Sequence, residues 1–352
     1  MRVMPVDETY RGRRAATIAN DDLRVTVLRE GGHIAEIFDK RIGVNPLWTP
    51  PWRSVEPSAF DRGAHAEFGA GADAKLLAGI MGHNLCLDIF GGPSDAEAAA
   101  GMTAHGDGSV AAYDIDETPG GLTMRASLPL AQIRVERRIE LRGRSVRVHE
   151  RIENLCAFDR PIGWTEHVTL GPPFLVRGVT QFRASATRSK VFESAFGADD
   201  YLQPGAAFDW PDAPRAGGGV ADLRQYAEAP RSSAYTAHLM DPRRDTAFFV
   251  AFSPASRLAF GYVWKTSDFP WMGIWEENCS RTGSPWNGAT LTRGMEFGVS
   301  PFPESRRAMV ERRAMFDTPT FRWLPARGRF DVDYAAVSQS ADRIPEFLEW
   351  PS

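Results

Sequence analysis

The chain has 352 residues, with 41 Lys+Arg against 45 Asp+Glu and a formal net charge of −4. Hydrophobic residues make up 43% and charged residues 24%, an ordinary globular composition that excludes a disordered or fibrous chain. The slightly acidic balance leaves no electrostatic footprint for nucleic acid, so that partner is not expected.

In chain order, the N-terminal stretch MRVMPVDETYRGRR is charged and lacks an apolar core, so no signal peptide is expected there. Leu23, Val25 and Val27 alternate as in a half-buried strand, Gly31-Gly32 offers a turn, and a second strand is read over His33 to Phe38. The Gly-rich pieces GAGAD and RAGGGVAD do not match dinucleotide or phosphate-loop spacing and are read as loops. Asp95 to Ala100 and Tyr334 to Arg343 are the two stretches read as able to carry a turn or more of helix.

Further strands are expected at Leu122 to Leu128, Ser233 to Leu239, Thr246 to Phe252, Arg257 to Trp264, Met272 to Glu277 and Thr290 to Val299. The clearest pattern is Ile133 to Ile152, where Ile133, Val135, Ile139 and Leu141 alternate with Arg and Glu, RGRS turns, and Val146, Val148 and Ile152 alternate again. That is an antiparallel hairpin with one buried and one wet face. The 32 glycines and 25 prolines punctuate the chain throughout, as many short strands require.

No linker-like tract divides the sequence, so one all-β domain over 1–352 is expected. Its sheets must close or stack to hide their edges, giving a large antiparallel β-sandwich. The longest apolar stretch, Ala247 to Phe252, is too short to cross a bilayer, and a cytoplasmic protein without a membrane partner is expected. Cys86, Cys156 and Cys279 are far apart and lack CxxC spacing, which favours free thiols over a disulfide framework or zinc site. Exposed strand edges are compatible with a monomer or a homodimer, and RIPEFLEWPS could pack on the body or on a partner.

Three segments place titratable groups beside aromatics: GMTAHGD around His105, PIGWTEHVTL with Trp164 and His167, and WMGIWEEN with Trp275, Glu276 and Glu277. A proton-donating histidine, a proton-accepting carboxylate and aromatic platforms suit a sugar, which has apolar C–H faces and a rim of hydroxyls. His83, His105, Asp88 and Asp107 are competent metal ligands by type, but no pair has helical i, i+4 spacing. No metal and no cofactor are expected.

The run RIENLCAFDRPIGWTEHVTLGPPFL resembles the centre of the aldose 1-epimerase (galactose mutarotase-like) superfamily. GMTAHGDGS is similar to its upstream His-Gly motif, REGGHIAEIFD to its opening strand–glycine–strand, and GIWEEN falls where the family carries its catalytic glutamate. The resemblance spans roughly residues 20 to 335 and implies a β-supersandwich and an isomerase that interconverts sugar anomers. It implies His167 as the general acid for the ring oxygen, Glu276 as the general base for the anomeric hydroxyl, and His105 as a sugar-orienting residue. Glu277 is the alternative base, because one register step reverses the face. Trp164 and Trp275 are read as sugar-binding aromatics. Asp222 stands where an acidic sugar-binding residue is expected, and His83 and Asp88 lie where the family places an arginine. The other readings are a carbohydrate-binding domain without catalysis, and an acid/base epimerase or lyase acting on a modified sugar.

Overall fold

The computed structural model describes residues 8–351 together with the short strand Arg2–Val3. Met1, 4–7 and Ser352, which include parts of both terminal stretches read above, lie outside the described residues.

Strands dominate and gather mainly into two sheets, one of 13 strands and one of eight. The hairpin shows why. In Ile133–Arg142 the even-numbered residues face water, whereas Ile133, Val135, Ile139 and Leu141 are buried. Its partner Ser145–Asn154 pairs antiparallel with it across the tight Gly143-Arg144 turn. Apolar residues at every second position therefore coat one face, and two such faces stacked together form the core.

Five strands of the larger sheet frame the region of interest: β1 (His83–Asp88), β2 (Arg160–Leu170), β3 (Ser232–Met240), β4 (Trp271–Asn278) and β5 (Leu291–Gly298). They lie side by side in the order β1-β2-β5-β4-β3, all antiparallel. Leu85, Leu87, Trp164, Val168, Met272, Ile274, Met295 and Phe297 point between the two sheets into the main core. Cys86, Tyr235, Trp271 and Trp275 point the other way, into a separate aromatic cluster with Trp48, Phe90, Trp286 and Phe302.

The region 334–343, weighed above as a helix, lies in the strand Arg329–Ser340 as far as Ser340. Val332, Tyr334 and Ala336 are buried at alternate positions, so the period of two prevails. Asp95–Ala99 is a short helix, opened by a capping box between Ser94 and Glu97. Two further helices, Ala74–Gly79 and Arg306–Arg312, carry too little periodicity to be read from sequence. Cys86 and Cys156 are buried free thiols, and Cys279 is a free thiol at intermediate exposure. No helix among the described residues is long and apolar enough to cross a membrane.

Candidate active site

Across β1, β2, β5 and β4 one row of paired positions carries Asn84, His167, Glu296 and Gly273 in that order. Directly paired residues project to the same face, so the backbone alone brings the imidazole of His167 beside the carboxylate of Glu296. His167 Nε2 lies 3.0 Å from Glu296 Oε1. Glu296 Oε1 nevertheless has no aligned hydrogen bond, although it is buried. The other oxygen, Oε2, accepts from the Tyr235 hydroxyl at 3.1 Å. His167 Nδ1 lies 3.0 Å from Thr169 Oγ1, which fixes the plane of the ring.

Two glycines make this arrangement sterically possible. A Cβ on Gly273 would sit 2.0 Å from the Tyr235 hydroxyl oxygen, and one on Gly294 would sit 2.3 Å from Glu296 Oε1. Both strands thus give up a side chain where the carboxylate and its phenol donor must pass.

Burial sets the protonation of the pair. Loss of solvent pushes the Glu296 carboxyl up to about 8, with the Tyr235 hydrogen bond pulling in the opposite direction. The same loss pushes the His167 imidazole down to about 3. Two groups this close titrate as a unit, and between those limits the unit holds one proton.

His105 completes the polar floor. Its ring centroid lies 4.8 Å from that of His167. Its Nδ1 accepts from Asn84 Nδ2 at 3.2 Å, which leaves Nε2–H as the donor. Burial holds this histidine well below its ordinary value, so it is neutral at pH 7. The residue sits at φ 66°, ahead of Gly106 at φ 78°, a local kink that turns the ring toward the cleft.

The cleft holds about 210 Å³ and is lined by His105, His167, Tyr235, Glu296, Trp275, Trp286, Arg281 and Asp73, among others. That is below the roughly 300–1,000 Å³ of sites for drug-sized ligands, and suits one small ring. Trp275 and Trp286 meet edge to face at 6.1 Å, and Trp48 stacks behind Trp286 at 6.2 Å. The result is one polar floor and one rigid aromatic wall. Among the described residues no group of three or more His, Cys, Asp or Glu side chains is arranged to hold a metal ion.

Of the residues singled out in the sequence, the structure brings His105, His167 and Trp275 together. It places Glu276 on the opposite face of β4, where its Oε2 accepts from Arg293 at 2.9 Å and its Oε1 from Ser232 at 2.6 Å. The reason is the strand period: Gly273, Trp275 and Glu277 share the cleft face, and Glu276 does not. Glu277 does face that side. Its Oε1, however, is taken by the backbone N–H groups of Ser280 and Arg281 at 2.7 and 2.9 Å, and it closes the turn after β4.

His83 also points inward. Its Nε2 lies 2.8 Å from Glu166 and its Nδ1 3.0 Å from the Tyr262 hydroxyl. Trp164 is in the core, with Nε1 donating to Glu150 at 2.8 Å. Asp88 is locked between Arg160 and Arg306, each at 2.6 Å. Asp222 lies on the small hairpin strand Val220–Asp222 and pairs with its neighbour Arg224, away from the cleft lining.

Glu296, Tyr235, Asn84 and Arg281 had escaped notice. One signal for Glu296 was present: it is the single carboxylate of TRGMEFG and sits between two apolar residues, Met295 and Phe297.

No sequence-family model and no curated protein sequence matches this chain. Solved structures do. A proposed aldose 1-epimerase from Klebsiella pneumoniae superposes with a TM-score of 0.66 at 13% identity, over 96% of this chain and 83% of its own. A proposed aldose 1-epimerase from Escherichia coli K12 gives 0.62 at 13%, over 93% and 99%. A galactose mutarotase-like protein from Clostridium acetobutylicum gives 0.60 at 12%, over 95% and 97%. At such identities the likeness is one of fold.

Proposed function

From a chain with the galactose mutarotase-like β-sandwich fold, we propose an aldose 1-epimerase activity in which His167 and Glu296 exchange protons with a cyclic sugar. One observation carries this reading: a histidine and a glutamate, side by side in the floor of a ring-sized cleft, with one carboxylate oxygen that has no aligned hydrogen bond. A hemiacetal opens when a base removes the anomeric hydroxyl proton while an acid protonates the ring oxygen. Both oxygens sit on one carbon, so the acid and base must be neighbours.

With the single proton on Glu296, the neutral His167 imidazole takes the anomeric proton and the Glu296 carboxyl supplies one to the ring oxygen. After rotation about the C1–C2 bond the transfers reverse, and the ring closes on the other face. The pair starts and ends with one proton, the number it holds at neutral pH. His105 donates from Nε2 to a sugar oxygen and orients the ring, and Trp275 packs against a C–H face. The same reading takes residues 1–352 as one carbohydrate-active unit, because the two large sheets draw strands from both halves of the chain.

Anomer interconversion by NMR exchange, followed from pH 5 to 10, tests this. The expected profile is flat through neutrality and falls above about pH 8, where the pair loses its only proton. No exchange above the uncatalysed rate with any aldose would contradict the assignment.

A further inference from the structure

Arg281 lines the cleft in an environment built to hold its plane. Its guanidinium carbon lies 4.7 Å from the ring centre of Trp286, 5.5 Å from Trp275 and 5.9 Å from Phe196. Its one acidic neighbour within ion-pair distance, Glu277, lies 3.4 Å away on the Nε side. The two terminal nitrogens make no hydrogen bond to any described residue. On the same wall Trp275 Nε1 is buried and has no partner. The free edge of a cation, a buried indole N–H without a partner and a Glu296 oxygen without an aligned hydrogen bond thus all line one small cavity.

An arginine fork presents two parallel N–H groups and matches a planar carboxylate. A neutral hydroxyl would use only one of them and forgo the charge-assisted bidentate bond. A doubly charged phosphate would add excess negative charge beside Glu277 and Asp73, both of which bear electrostatically on this guanidinium. A single negative charge fits best.

We propose that the sugar accepted by this cleft carries a carboxylate, gripped by the terminal nitrogens of Arg281 and shared with Trp275 Nε1. Arg281 and His167 both lie within 6 Å of the Trp275 ring and line the same cleft, so one sugar can meet both. This rests on the cleft being a sugar site.

The test compares a hexuronic acid, the matching neutral hexose and its 6-phosphate. Binding is read by quenching of Trp275 and Trp286 fluorescence, and turnover by NMR exchange. The uronate is expected to bind at least tenfold tighter than the hexose and tighter than the phosphate. Arg281→Gln should erase that preference and Arg281→Lys restore part of it. Equal binding of hexose and uronate, a preference that survives Arg281→Gln, tighter binding of the phosphate, or binding of none of the three would overturn the proposal. Should Arg281→Gln not fold, the wild-type comparison and Arg281→Lys decide. Arg281-dependent uronate binding without exchange would sustain this proposal and sink the epimerase reading. Exchange of neutral sugars without an acidic preference would do the reverse.

Discussion

The same strands carry two histidine–glutamate pairs, one on each face of the sheet, and their surroundings differ. Between the sheets, His83 and Glu166 belong to a closed network. Glu166 Oε2 also accepts from Arg137 at 2.6 Å and from the Tyr334 hydroxyl at 2.9 Å, and Arg137 is paired with Glu150 as well. On the cleft face, His167 and Glu296 have few partners: one phenol donor, one threonine hydroxyl, and a Glu296 oxygen that faces His167 without an aligned hydrogen bond. Both pairs are buried, the inner one completely and the cleft one at 6% and 2% side-chain exposure, so burial alone hardly separates structure from chemistry. Hydrogen-bond satisfaction does: a saturated network holds the sandwich together, and an unsaturated one keeps capacity for a ligand.

Breaking the cleft pair should abolish turnover and leave the fold. His167→Ala and Glu296→Gln are each expected to cut anomer exchange by roughly 10²–10⁴-fold, with thermal unfolding little changed. Breaking the inner face should do the opposite. Glu276→Ala strands Arg293, a guanidinium with no solvent exposure, and is expected to destabilise the protein by about 3–5 kcal/mol in denaturant titration while activity per folded molecule persists.

Much of the fold was legible because it follows from a local pattern. Alternation in Ile133 to Ile152 is written residue by residue, and so is the capped turn at Asp95. His105, His167 and Trp275 were legible as polar or aromatic groups in motifs. Glu296 was not, and the cause is physical. Whether a strand glutamate faces cleft or core depends on its register against the neighbouring strand, and one step exchanges the two faces. Glu276 looked the better base by motif, but it shares its face with Met272 and Ile274 and pairs with Arg293. The strand that holds Glu296 was foreseen; its pairing with His167 was not, since that contact joins residues 129 positions apart. The helix reading of 334–343 fails for a related reason: Ala335 on the outer face is buried as well, in a cluster with Leu348, so small apolar residues on both faces blur the alternation.

Smaller perturbations sharpen the contrast between the faces. Gly273→Ala puts a methyl where the Tyr235 hydroxyl must pass, and should cost about 1–3 kcal/mol of stability together with most of the activity, seen by parallel melting and exchange assays. Tyr235→Phe removes one hydrogen bond from Glu296 and should lower the rate by about tenfold. That bond holds the carboxyl down, so its loss raises the group further and shifts the alkaline fall in activity to higher pH. A shift to lower pH would contradict the assigned donor.

The most direct test sets the two glutamates against each other. Anomer exchange is measured by NMR on Glu296→Gln and Glu276→Gln at equal folded concentration. Near-complete loss in Glu296→Gln with exchange retained in Glu276→Gln is the predicted result. Retained exchange in Glu296→Gln, or its loss in a folded Glu276→Gln, would contradict the account.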